Sequence, residues 1–175
     1  FGELARLLER AGPGAPGQGS ITGIFSVLVE GDDHNEPVAD AVRGIIDGHI
    51  VMEREIADRG RYPAINILRS VSRALPKALT DWQNAVIRRA KQVISTYEDM
   101  AELIRLGAYR QGSDPKVDEA IQLYPYIEEF LTQNKDERTM IDEGFMRLAQ
   151  IVGVEQDAGA RSDHGLNDGA EQRDG

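Results

Sequence analysis

The sequence predicts an α/β portion, then an all-α portion, then a disordered tail. Three observations predict this order. Up to Arg73, short apolar runs rich in β-branched residues alternate with helical patterns. Beyond Trp82 only the 3.6-residue helical period remains. From Gly153 glycine is frequent, aromatics vanish and acids outnumber bases. The resulting segments are 1–77, 78–152 and 153–175.

Leu4, Leu7 and Leu8 share one face of a short helix over 1–10. The Gly/Pro-rich stretch 11–19 reads as a loop. It lacks the Lys followed by Ser or Thr that a phosphate-cradling loop needs. Residues 20–29 are almost continuously apolar, which predicts a strand buried on both faces of a parallel sheet. An acidic loop over 31–36 precedes Pro37, which fits the first turn of a helix because its missing N–H is not needed there. That helix runs through Ile45 and Ile46 to Asp47-Gly48. His49 to Met52 reads as a strand, Glu53 to Arg59 as a helix stopped by Gly60, and the apolar run after Pro63 as a strand. Strand and helix in alternation is α/β logic with a parallel sheet.

In the second portion Trp82, Val86, Ala90, Val93, Ile94 and Tyr97 recur at helical spacing, and the pattern extends to Gly107. Further helices are predicted over 115–123, 126–131 and 138–152. The tail offers too little apolar surface to offset the entropy of ordering it.

Composition narrows the function. The formal net charge of -10 argues against binding nucleic acid through phosphate neutralisation, although Arg88, Arg89 and Lys91 form a local basic spot. The chain has no cysteine, which removes disulfides and thiolate metal sites and fits a reducing compartment. No apolar run approaches the ~20 residues of a membrane span, and no signal segment opens the chain. These features predict a soluble cytoplasmic protein. The chain starts at Phe1 rather than Met, directly before a helical pattern, as a segment beginning inside a larger protein would.

Several residues carry candidate chemistry. Asp32, Asp33, His34 and Glu36 are oxygen and imidazole donors, but no second ligand cluster accompanies them, so they read as a solvated loop and no metal site is assigned. Glu53, Glu55 and Asp58 stand beside Arg54 and Arg59, and surface ion pairing explains them. Tyr62 precedes Pro63, which biases it towards an extended backbone and presents its ring rigidly. Such a ring can stack on a nucleobase, although on residue type alone it is more often a core or interface aromatic. Arg73 follows Ser70-Val71-Ser72, and its guanidinium is a fixed fork suited to phosphate oxygens. On spacing alone Arg73 reads as a surface arginine, and Arg69 is equal to it by type.

The run Tyr62-Pro63-Ala64-Ile65-Asn66 through Ser70-Val71-Ser72-Arg73 resembles the nucleotide-site segment of the rotary ATP synthase and type III export ATPases. Leu7-Leu8-Glu9-Arg10-Ala11-Gly12, Gly19-Ser20-Ile21-Thr22-Gly23 and Val29-Glu30-Gly31-Asp32-Asp33-His34-Asn35-Glu36-Pro37 continue the match upstream. Tyr97-Glu98-Asp99-Met100-Ala101-Glu102-Leu103 through Tyr109 continues it downstream. Order and spacing over residues 1–152 make the resemblance specific to the flagellar protein export ATPases.

The resemblance implies the carboxyl-terminal part of a RecA-like P-loop ATPase domain, followed by a helical domain. It implies ATP hydrolysis with Mg2+ in a homohexamer. Tyr62 matches the aromatic that packs on adenine. Arg73 matches the arginine finger supplied in trans to a neighbouring subunit, a device worth ~10³–10⁵ in rate. The implied partners are a coiled-coil stalk protein, export-apparatus components, and export substrates or their chaperones, with the enzyme peripheral at the inner-membrane export gate. The family's phosphate-binding loop, catalytic Glu and magnesium-orienting Asp lie upstream of the matched segment, so this chain alone is expected to be inactive. Gly107 to Asp114 stands where the synthase subunit has an acidic loop, which favours the export branch over a rotary synthase subunit. The alternative from another class is a nonenzymatic module whose helices from Thr80 to Val152 bind a helical partner.

Overall fold

The computed structural model describes residues 2–28 and 37–156. The acidic loop 31–36 and most of the predicted tail lie outside the described residues. Among the described residues, four short strands and three helices occupy the first portion, and three longer helices form the second.

Helix α1 (Gly2–Leu8) buries Leu8, while Leu7 on the same face stays half exposed. Strands β1 (Gly12–Pro13) and β2 (Ser20–Ile21) close the Gly/Pro-rich loop into a small antiparallel hairpin, with the Gly14 N–H donating to the Gly19 carbonyl. Helix α2 (Pro37–Ile45) opens on the expected proline and buries Ala39 and Val42.

The long strand expected over 20–29 is not formed. Pairing stops at Ile21, and Ile24 and Leu28 are 94% and 93% exposed. An apolar run reports a need for burial but supplies no ladder partner, and none faces residues 22–28 among the described residues.

Strand β3 (Gly48–Met52) pairs with β4 (Ile65–Ser72), with helix α3 (Arg54–Asp58) in the connection. The pair is antiparallel, which corrects the parallel expectation. A parallel return needs a crossover of a dozen residues or more that lies across the sheet. Here the Glu53 N–H donates to the Ala64 carbonyl at 3.0 Å, so the connection carrying α3 closes on itself as a hairpin and does not cross the sheet.

Helix α4 (Asp81–Arg105) starts at a capping box: the Gln83 N–H donates to Thr80 Oγ1, and the Thr80 N–H donates to Gln83 Oε1. Its buried residues Val86, Ala90, Val93 and Ile94 fall on one stripe. Against that stripe pack Ala120 and Ile127 of α5 (Pro115–Leu131) and Ala149 and Val152 of α6 (Ile141–Val152). Two helices were expected where α5 runs unbroken through Pro125. An interior proline costs about 3 kcal/mol, and burial of Ala120 before it and Ile127 after it keeps the helix continuous. The Tyr97 and Tyr124 rings stack with centroids 3.7 Å apart, tying α4 to α5. Gly153, at φ +68, ends α6 in the left-handed conformation that favours glycine. Ile67 and Leu68 of β4 pack on this helical core, so the two portions share a boundary. No described helix is long and apolar enough to cross a membrane.

Candidate nucleotide site

Tyr62 stands between α3 and β4. Gly60, at φ +86, ends α3 and turns the chain, which then runs through Arg61 and Tyr62 to Pro63. Tyr62 is 58% exposed and is not among the residues that line the neighbouring cleft, so it is not a core aromatic. Its carbonyl accepts a 2.7 Å hydrogen bond from the Gln133 N–H, just beyond α5. One residue earlier, Arg61 Nε lies 3.2 Å from Glu128 Oε2 of α5. Residues 61 and 62 are thus fastened to the helical portion at two points.

Beside this attachment a cleft of about 390 Å³ opens between Pro63 and the ends of α5 and α6. Phe130, Gln133, Met140, Phe145 and Leu148 line its other side. Its size and apolar, aromatic walls suit a flat heterocycle, with Gln133 and Thr139 as polar groups to orient it. Arg147 and Glu137 also line the cleft, and the Arg147 guanidinium sits 5.9 Å from the Phe130 ring centroid.

Arg73 follows the last residue of β4. Its N–H donates to the Asp47 carbonyl at 2.7 Å and extends the pairing with β3. Its exposed guanidinium donates to the Arg43 carbonyl at 3.3 Å, in the last turn of α2. Backbone carbonyls at a helix C-terminus carry partial negative charge, which favours a guanidinium there. Tyr62 and Arg73 leave opposite ends of the β3–β4 pair, whose five-residue strand β3 spans roughly 13 Å at ~3.3 Å per residue. The structure therefore keeps them apart.

Arg69, the other arginine candidate, is bound up within the fold. Its Nη1 pairs with Glu53 Oε1 at 2.8 Å. Among the described residues no group of three or more His, Asp or Glu side chains converges as a metal site would require. The candidates Asp32, Asp33, His34 and Glu36 lie outside the described residues.

Charge also gathers where the portions meet. Burial pushes the Glu98 carboxyl above its ordinary range; Arg59 and Arg61 oppose this, and Glu53 and Glu128 reinforce it. Burial, and then Glu128, push the Tyr124 hydroxyl well upward.

Phe130, Gln133 and Phe145 were not singled out by the sequence. The available signal was Met140 beside Ile141, two apolar residues at the start of α6 that stay exposed on the cleft.

Residues 1–72 match the ATP synthase alpha/beta family, nucleotide-binding domain, and residues 79–150 match the T3SS EscN ATPase C-terminal domain. The flagellum-specific ATP synthase of Caulobacter vibrioides is 56% identical over 89% of this chain and 36% of its own length. The SPI-2 type 3 secretion system ATPase of Salmonella typhimurium is 47% identical over 78% of this chain and 31% of its own. The assembled ATPase EscN of enteropathogenic E. coli superposes with a TM-score of 0.82 at 41% identity, over 87% of this chain and 36% of that one. A second EscN structure, in complex with its central stalk EscO, gives a TM-score of 0.76 at 38% identity, covering 87% and 35% of the two chains. The chain thus spans about a third of the length of the relatives it matches.

Proposed function

The chain belongs to the ATP synthase alpha/beta family, in the branch of the flagellar and type III export ATPases, and from that membership we propose that it supplies one wall of each of two nucleotide sites. Residues 1–77 form the carboxyl-terminal part of a RecA-like nucleotide domain, and 78–152 form the helical domain. The full-length ATPase hydrolyses ATP with Mg2+ as a homohexamer and couples turnover to protein export.

The observation that carries this reading is the attachment of Tyr62 to Gln133 beside the Pro63–Phe130–Phe145 cleft, with Arg73 at the far end of the same strand pair. When bound, ATP supplies the phosphoanhydride that is cleaved. Tyr62 stacks on adenine from one side, while Pro63, Phe130 and Phe145 exclude water from the base. Arg73 leaves the Arg43 carbonyl and reaches the neighbouring subunit, where its guanidinium neutralises charge developing on the phosphoryl oxygens. The phosphate-binding and magnesium-binding groups come from the part of the ATPase that precedes the matched segment in its relatives.

The helical domain meets a coiled-coil stalk through the turn between α4 and α5. Tyr109 donates to Asp118 Oδ1 at 2.9 Å and the Gly112 N–H donates to Asp118 Oδ2 at 2.9 Å, which keeps that turn in one shape. Other proposed partners are export-apparatus components and export substrates or their chaperones at the cytoplasmic face of the inner membrane.

Photolabelling a full-length ATPase that carries this chain with an azido-adenine nucleotide tests the base site. Label on Tyr62 or the cleft residues, competed by ATP, is the expected result. Label confined to other segments would overturn it.

A further inference from the structure

Strand β4 does not run evenly along β3. Asn66 faces Val51 and Val71 faces His49, so four residues, 67–70, stand opposite Ile50 alone. This excursion carries Ile67 and Leu68 onto the helical core and ends three residues before Arg73. Its length decides where Arg73 leaves the sheet, because a one-residue slip turns every following side chain to the other face.

A closed set of hydrogen bonds fixes the excursion. Asn66 Nδ2 donates to Glu53 Oε2 at 2.9 Å, and Asn66 Oδ1 accepts from the Arg69 N–H at 2.9 Å. Arg69 Nη1 donates to Glu53 Oε1 at 2.8 Å. Ser70 Oγ donates to the Asn66 carbonyl at 2.6 Å and accepts from the Val51 N–H at 3.0 Å. One amide side chain thus reads Glu53 with its nitrogen and the far side of the excursion with its oxygen. The Asn66–Glu53, Ser70–Asn66 and Val51–Ser70 bonds are part-buried, so water replaces them poorly, while the two bonds to Arg69 lie at the surface.

We propose that Asn66, clamped by Glu53, is a positioning residue for Arg73: it locks the 67–70 excursion in one register and so fixes where the finger leaves the sheet. The proposal rests on the reading of Arg73 as a trans finger. It adds a route from helical domain to finger, since Ile67 and Leu68 lie within the locked segment.

The polarity of the clamp gives a specific test in a full-length hexameric ATPase carrying this chain. Asn66→Asp keeps the acceptor for Arg69 but sets two carboxylates face to face. Combining it with Glu53→Gln reverses the polarity: the amide at position 53 donates to the new carboxylate while its oxygen still accepts from Arg69. Displacing a catalytic group by about 1 Å costs on the order of a hundredfold. The expected result is a kcat lowered at least about tenfold by Asn66→Asp, with KM for ATP unchanged, and recovery in the double variant. Wild-type kcat in Asn66→Asp overturns the proposal, as does a loss that the double variant does not restore or a KM that rises in step. An active Arg73→Ala enzyme would sink the finger reading itself. An inactive Arg73→Ala beside a fully active Asn66→Asp sinks the positioning role alone.

Discussion

The Gln133 N–H donates a 2.7 Å hydrogen bond to the carbonyl of Tyr62. This bond makes the cleft a feature of both portions, because neither Pro63 nor Phe130 encloses it without the other. A shift of the helical domain must move Gln133, and with it the segment that presents the Tyr62 ring.

Removing that ring should weaken binding more than chemistry. Stacking of a base on an aromatic side chain is worth ~1–3 kcal/mol, so Tyr62→Ala is expected to lower nucleotide affinity by about tenfold to a hundredfold with little change in kcat. Tyr62→Phe keeps the stacking face and should be mild. Calorimetric titration of both variants in the full-length ATPase checks this, and equal affinities for wild type and Tyr62→Ala would count against the stacking role.

Gly48 lies opposite Ser72, one residue before Arg73. A methyl group at position 48 would meet the Val71 carbonyl oxygen at 2.8 Å and Ser72 Cα at 3.2 Å, both backbone atoms with little room to yield. Gly48→Ala is therefore expected to push the end of β4 away and lower both melting temperature and turnover. Unchanged turnover and stability would show that this end of the strand tolerates displacement.

Glu98 supplies a pH-dependent test. Burial raises its folded-state pKa above the unfolded value, so the folded chain holds this proton longer. The associated stability is present below the unfolded pKa and is lost as pH rises through the folded pKa. Glu98→Gln stays neutral throughout. It should raise the melting temperature of the chain at about pH 7.5 and leave it nearly unchanged near about pH 4. Melting curves at both pH values decide the point, and a gain confined to acid pH would reverse the sign.

The helical portion stands on Ile127, which is 1% exposed between α4, α5 and α6. Truncating such a side chain costs about 2–5 kcal/mol through lost burial and the cavity left behind. Ile127→Ala should lower the urea midpoint of the chain accordingly, and a loss below about 1 kcal/mol would mean that the helices close the gap.

Local rules made the helices legible. The Val86–Ala90–Val93 spacing names the buried stripe of α4, and the predicted start at residue 115 is that of α5, although Pro125 does not break that helix as expected. The strands were harder to read because pairing is not a local property. Residues 20–29 look like a core strand, yet Ile24 and Leu28 find no cover among the described residues. The direction of β4 depended on the α3 connection closing between Glu53 and Ala64 rather than on its own apolar pattern. Tyr62 and Arg73 were visible as residue types in a spacing. What the chain alone could not reveal was the other wall of the cleft, since Phe130 and Phe145 meet Pro63 only after α5 and α6 have packed on α4.

The central claim is that Arg73 completes a neighbour's site rather than its own. Its most direct test is subunit mixing in the full-length ATPase. One variant carries Arg73→Ala with its phosphate-binding loop intact; the other keeps Arg73 but has that loop disabled. Each alone is predicted to be nearly inactive, with nucleotide binding retained by the Arg73→Ala variant. Mixed hexamers should regain hydrolysis where an intact finger faces an intact loop. Normal hydrolysis by the Arg73→Ala hexamer alone, or no recovery in hexamers proven to be mixed, would contradict the account.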